Sequence, residues 1–242
     1  MTKRIHLGML TPSSNTVLEP LTSAMVAGLP GVSAHFSRFP VTEISLGARA
    51  TGQFEFDKIV DAARLLADAR VDVIAWSGTS AGWLGFDGDR ELCRRITEAT
   101  GVPATTSVLA LNEILERTGA RRFGLATPYL DDVQRKIVDN YARHDFECVA
   151  EQHLGLQVNY SFAEVTDEQI RTAVREVARA KPQAITTFCT NLRAAPLVEA
   201  LEAETGIPIY DTVATAVWKS LRMVGVDTRE VRGWGRLFQD VV

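Results

Sequence analysis

Three blocks of this sequence occur twice, in the same order. "RIHLGMLTPSSNT" is answered by "RRFGLATPYLDDV": an arginine, an apolar strand, then Thr-Pro. "VDVIAWSGTSAGW" is answered by "PQAITTFCTNLRA", and "EATGVPATTS" by "AETGIPIYDT". A block order kept across two halves points to a duplicated unit. Short apolar runs such as "VDVIAW" and "QAITTFC" have the length and composition of parallel-sheet strands. Longer amphipathic runs separate them. "EFDKIVDAARLLADA" carries Ile59, Ala63 and Leu66 at helical spacing, and "DRELCRRITEATG" closes on Gly101, a helix stop. Alternating strands and helices predict an α/β fold with parallel sheets. The expected architecture is two similar Rossmann-like units related by a pseudo-twofold axis, with the active site in the cleft between them. Residues 1–118 with 210–242 would form one unit and residues 119–209 the other.

In open parallel sheets, ligands sit at the carboxyl ends of the strands. Four polar clusters occupy such ends here: "TPSSNT", "SGTSAG", "TPYLDD" and "FCTN". Two facing units would bring them to one cleft. Cys189, in the last cluster, stands where an apolar run stops and a helix-starting run begins. A thiol at the mouth of a helix feels unpaired N–H groups and the helix dipole, which lower its pKa. The same cysteine could equally be core filler. Its mirror position is Gly78, followed by Thr79 and Ser80, whose hydroxyls and backbone N–H groups suit an anion or simply cap a helix. Pro12, Ser13, Ser14, Asn15 and Thr16 repeat that kit after the first strand. Tyr129 adds a phenolic donor, Asn159 an amide, and Thr190 a further hydroxyl. His144 and His153 read as helix or loop, and His6 and His35 as within or beside strands. No histidine is expected at a strand end, which argues against a Ser-His-Asp or Cys-His hydrolase. No Gly-Xaa-Gly-Xaa-Xaa-Gly and no Walker loop occurs, so no nucleotide cofactor is expected.

Composition removes other classes. A net charge of −4 gives no basic footprint for nucleic acid. No apolar run reaches the ~18–20 residues of a membrane span, and the N-terminal apolar stretch is too short for a secretory leader. Cys93, Cys148 and Cys189 are odd in number and widely spaced, which is neither a disulfide framework nor a zinc pattern. A reducing cytoplasm fits that usage.

At its four clusters the sequence resembles the aspartate/glutamate racemase superfamily, in the branch of arylmalonate decarboxylases and maleate cis-trans isomerases. The likeness covers nearly the whole chain. "PSSNT" looks like the isomerase motif. "GTS", "TGVPATTS", "RRFGLATPYLDDV" and "GWGRLF" look closer to the decarboxylase. The resemblance implies cofactor-free chemistry at a carbon beside a carboxylate, on a small dicarboxylate substrate, in an enzyme that can be a homo-oligomer. Racemases and isomerases of this kind carry two cysteines; the decarboxylases have glycine at the first position and keep the second. Gly78 and Cys189 match the decarboxylase pattern. Thr79, Ser80, Tyr129 and the backbone around Thr190 match the group that holds the carboxylate and its enediolate. Asn15 and Asn159 match carboxylate-binding positions of the isomerases. The expected activity is decarboxylation of a malonate-type diacid, with Cys189 held as a thiol that protonates the enediolate. The alternatives are an isomerase- or racemase-like enzyme, and a non-catalytic binder of small carboxylates.

Overall fold

The chain threads the same strand order twice. The computed structural model describes residues 4–242; residues 1–3, the start of the stretch read above for a leader, lie outside them. The first half runs β1 (Ile5–Pro12), α1 (Leu18–Val26), β2 (Val32–Phe39), α2 (Ala48–Thr51), α3 (Phe56–Asp68), β3 (Val73–Trp76), α4 (Ala81–Leu84), α5 (Phe86–Thr100), β4 (Ala104–Thr106) and α6 (Ser107–Thr118). The second runs β5 (Arg122–Thr127), α7 (Asp131–Ala142), β6 (Glu147–His153), α8 (Asp167–Ala178), β7 (Ala184–Thr187), α9 (Val198–Thr205), β8 (Ile209–Asp211), α10 (Thr212–Met223) and α11 (Leu237–Asp240). Two four-stranded sheets result, ordered β2-β1-β3-β4 and β6-β5-β7-β8. All the ladder pairings within them are parallel. The architecture is the expected one: α/β, with two matching parallel sheets and flanking helices.

Local chemistry explains the repeat. The twin Thr-Gly-Xaa-Pro blocks end α5 and α9 on left-handed glycines, Gly101 at φ 72° and Gly206 at φ 73°. A residue with a Cβ would be strained there, so the glycine stops the helix and turns the chain into the next strand. Ile59, Ala63 and Leu66 lie on the buried face of α3. Thr166 and Gln169 form a reciprocal capping box at the start of α8.

Two edge strands did not stand out in the sequence. β2 and β6 lie at the outer edges of their sheets and are half-buried, so neither carries a continuous apolar run. His35 lies within β2. His153, expected in helix or loop, instead closes β6 and is a histidine at a strand end. It bonds Glu151 through Nδ1 at 2.9 Å and has Asp131 at 3.9 Å. It is not among the residues that line the cleft.

The two halves grip one another around the carboxyl ends of β1, β3, β5 and β7. Asn140 of α7 donates from Nδ2 to the carbonyls of Ala81 and Gly82 in α4, both at 3.1 Å. A Cβ on Gly82 would lie 2.6 Å from the Phe188 ring. The missing side chain therefore lets α4 close onto the residue before Cys189. On the other side, Ile44 N–H donates to Gln157 O at 2.9 Å and Asn159 N–H to Thr42 O at 3.0 Å. This antiparallel bridge at Glu43 and Val158 ties the loop after β2 to the loop after β6. α10 lies against α6 and α1. Among the described residues, no helix is long and apolar enough to cross a membrane.

Candidate active site

A small cavity of about 20 Å³ opens where the strand ends meet. Pro12 from the end of β1, Gly78, Thr79 and Ser80 after β3, Tyr129 after β5, Asn159, and Cys189 with Thr190 after β7 line it. Clusters from both halves thus reach one cavity, with Gly78 and Cys189 both on its walls.

The thiol is almost closed off from solvent, at 2% exposure. Burial pushes its pKa up to about 12, although the Tyr129 hydroxyl and the N–H groups of Asn191 and Leu192 hydrogen-bond to it and pull the other way. The buried Asp211 carboxyl adds a smaller upward push. This reverses the expectation that a helix mouth lowers the pKa of Cys189. The chain after Cys189 first makes a turn, and its helical run starts only at Ala195. The dipole is too far away to compete with desolvation. At neutral pH the side chain is a thiol and a proton donor.

Tyr129 links the walls. Its hydroxyl lies 2.7 Å from Thr79 Oγ1 and shares a hydrogen bond with the thiol. Burial holds its pKa well above 10, so it stays a donor. Ser80 precedes a helix of only four residues and makes no side-chain cap bond. Both hydroxyls at this strand end are thus positioned by the cavity rather than spent on capping.

Ser14 and Asn15 stand one layer behind. Neither lines the cavity. Ser14 Oγ donates to Val41 O at 2.6 Å and accepts from Asn159 Nδ2 at 2.7 Å. Asn15 caps α1, its Oδ1 accepting from Val17 and Leu18 N–H at 2.9 and 3.0 Å. Its Nδ2 donates to Thr190 Oγ1 at 3.2 Å, and Thr190 donates on to Ser77 O. These two residues brace residues of the cavity wall. Asn191 does the same across the halves, accepting from Thr16 N–H and donating to Asn159 O at 2.6 Å. Ser13 bonds to the backbone of Val41.

The sequence reading missed the apolar wall. Val41, Ile44, Phe54, Trp76 and Trp83 also line the cavity. A chain of rings runs along it: Phe39–Trp76 at 4.9 Å, Trp76–Phe54 at 6.4 Å, Phe54–Trp83 at 6.0 Å, Trp83–Tyr129 at 5.4 Å and Tyr129–Phe162 at 5.5 Å. Trp76 ends a strand immediately before a polar cluster, and that placement is the signal that could have exposed it. Phe54 reaches the site from the long connection after β2, which no local pattern marks.

The arylmalonate decarboxylase family model matches residues 21–238. The chain belongs to the arylmalonate decarboxylase family. The arylmalonate decarboxylase of Bordetella bronchiseptica is 25% identical over 237 residues, 97% of this chain and 96% of that protein. Maleate isomerase of Nocardia farcinica is 26% identical over 246 residues, 97% and 95% of the two chains. Among solved structures, a variant of the Nocardia farcinica maleate cis-trans isomerase with a covalently bound succinylcysteine intermediate superposes with a TM-score of 0.90. It is 23% identical and covers 98% of this chain and 99% of its own. A liganded double variant of arylmalonate decarboxylase, glycine to cysteine and cysteine to serine, gives 0.83 at 24% identity, covering 98% and 99%. These two likenesses establish the shared fold. Gly78 and the Cys189 thiol share the cavity.

Among the described residues, no cluster of three or more His, Cys, Asp or Glu side chains is placed to hold a metal. Cys93 and Cys148 are half-buried on α5 and β6, away from the cavity.

Proposed function

We propose that this protein is a cofactor-free decarboxylase of a malonate-type diacid, and that Cys189 is its proton donor. The observation that carries the reading is the thiol itself: buried, protonated at neutral pH, and sharing its cavity with Gly78, which has no side chain to act as a second acid or nucleophile. One carboxylate of the substrate would bind at the Thr79, Ser80 and Tyr129 hydroxyls. The other would lie against the apolar wall of Val41, Ile44 and Phe54, where a charge is poorly solvated and its loss is favoured. The bond from the α-carbon to that carboxylate breaks, carbon dioxide leaves, and the bonding pair passes into the remaining carboxylate as an enediolate. The hydroxyls stabilise the charge that develops. Cys189 then gives its proton to the α-carbon; the pair stays on sulfur, and solvent reprotonates the thiolate. A thiol with a pKa of about 12 is a suitable acid, because an enediolate is a far stronger base than a thiolate.

Asn159 on the cavity wall, held by Ser14, favours the second reading, a maleate-type isomerase on a small dicarboxylate. That reading lacks a nucleophile, since Gly78 has no side chain. Two sheets of identical strand order support the assignment of residues 1–118 with 210–242 to one unit and 119–209 to the other; β8 crosses that division by pairing with β7. The functional test is product analysis on malonate, phenylmalonate, methylmalonate and maleate. Carbon dioxide release from a malonate supports the first reading. Fumarate from maleate without carbon loss would replace it with the second, and binding without turnover would leave a carboxylate-binding protein.

A further inference from the structure

We infer that Trp76 is the residue that makes the cleft one-sided: its indole ring fills the volume that a side chain at position 78 would need, and its Nε1–H is a donor for a carboxylate of the ligand. The first half stands on packing alone. The second rests on the reading above that the ligand carries carboxylates.

The packing is tight. A Cβ built on Gly78 would lie 2.1 Å from Trp76 Cζ2, 2.4 Å from Cε2 and 2.5 Å from Cη2. Each distance is well inside van der Waals contact. The obstacle is no flexible side-chain end. Trp76 is 1% exposed, and its ring is flanked by Phe39 at 4.9 Å and Phe54 at 6.4 Å. A planar ring fixed by neighbouring rings moves only by disturbing them. Glycine at 78 and tryptophan at 76 are therefore one feature: the indole ring occupies the place that a side chain at 78 would take.

The indole N–H carries the binding half. Trp76 lines the same cavity as Gly78, Thr79 and Ser80, and Cε2, which carries Nε1, is among the three ring atoms nearest Gly78. Trp76 Nε1 is buried and has no hydrogen-bond partner, and Trp83 Nε1, also from a cavity-lining residue, is in the same state. A buried donor left unpaired is costly. A carboxylate in the cavity is a fitting acceptor: anionic, planar and able to take donors from an indole and a hydroxyl together. The ring body meanwhile presents apolar surface. Ligands of the matching class are small diacids with one modest apolar substituent, protonated at carbon from the Cys189 side alone.

Two measurements test the two halves separately. Melting curves of Gly78→Ala, Trp76→Leu and the double variant test the packing without any ligand. In the wild-type background Gly78→Ala should lower the midpoint by about 5 °C, the ordinary effect of overpacking in a chain of this size. In the Trp76→Leu background the same change should cost less than about 1 °C, since non-additivity marks side chains in contact. Equal losses in both backgrounds, or no loss in the first, would overturn the ring's role. Calorimetric titration of wild type and Trp76→Phe with malonate and with phenylmalonate tests the donor. Loss of the N–H alone should weaken both dissociation constants about tenfold, as for a hydrogen bond to a charged group, with the fold kept. Unchanged constants would overturn the donor role. Absence of binding by the wild type to either diacid would overturn the carboxylate reading itself, while the melting data still decide the packing.

Discussion

Removing one oxygen, in Tyr129→Phe, tests how the site divides its work. The ring is 2% exposed and packed edge-on against Trp83 and Phe162 at 5.4 and 5.5 Å. Phenylalanine keeps those contacts. What disappears is the hydroxyl that lies 2.7 Å from Thr79 Oγ1 and bonds the Cys189 thiol. The folded state loses ordinary neutral hydrogen bonds, worth about 1 kcal/mol net, so the melting midpoint should fall by only about 3 °C. The reaction should lose more. A hydrogen bond to a charged group is worth about 1.5–3 kcal/mol, which is roughly 10–100-fold in rate. Charge on the bound carboxylate group grows as the enediolate forms, so most of the loss should fall on kcat and little on KM. The assay is initial-rate carbon dioxide release from phenylmalonate for both proteins, with melting curves alongside. A kcat within twofold of wild type would show that the hydroxyl is packing only. A loss confined to KM would show that it binds the ground state and does not act on the enediolate.

Three further outcomes follow from the geometry. With the Cys189 pKa near 12, an acid that must be protonated keeps working as pH rises from 7 to 10, so the rate should stay flat there; a rate climbing with pH would indicate a thiolate mechanism instead. Asn15→Ala removes the cap on Val17 and Leu18 and the brace on Thr190; it should cost about 1–2 kcal/mol by denaturant unfolding and also lower activity, whereas unchanged stability would refute the capping role. Asp89 is fully buried beside the Thr106 hydroxyl, and burial raises its pKa to about 7; the folded chain therefore keeps a proton between about pH 4 and 7 that the unfolded chain gives up. Stability should fall as pH rises through that window, by on the order of 4 kcal/mol, and the fall should be absent in Asp89→Asn.

The repeat made the fold readable. Blocks shared by the two halves mark β1, β3 and β4 and their counterparts β5, β7 and β8, because each is buried and followed by a polar cluster. β2 and β6 escaped because half-buried edge strands carry mixed polarity, and His153 was misplaced with β6. Strand ends likewise named most of the cavity residues: Pro12, Gly78, Thr79, Ser80, Tyr129, Asn159, Cys189 and Thr190 all line it. The sequence alone groups Ser14 and Asn15 with the cavity residues. Spacing along a loop does not tell which side chain turns inward, and these two brace Asn159 and Thr190. Pro196 in the first turn after Ala194 was the sign that the helix begins well past Cys189, since proline favours that position. Burial, which decides the pKa of the thiol, depends on the opposite half of the molecule and has no local signature.

Cys189→Ser in deuterated water is the most direct test of the central claim that one buried thiol protonates the substrate carbon. The measurement is product formed from phenylmalonate, with its deuterium content and handedness, for wild type and variant. The wild type should release one carbon dioxide per product and place one deuteron on the α-carbon in a single configuration. A serine hydroxyl is a much weaker acid, so the variant should turn over about 10²–10⁴-fold more slowly while its melting midpoint and malonate binding stay close to wild type. Full turnover by the variant, with the same labelled and single-handed product, would contradict the account.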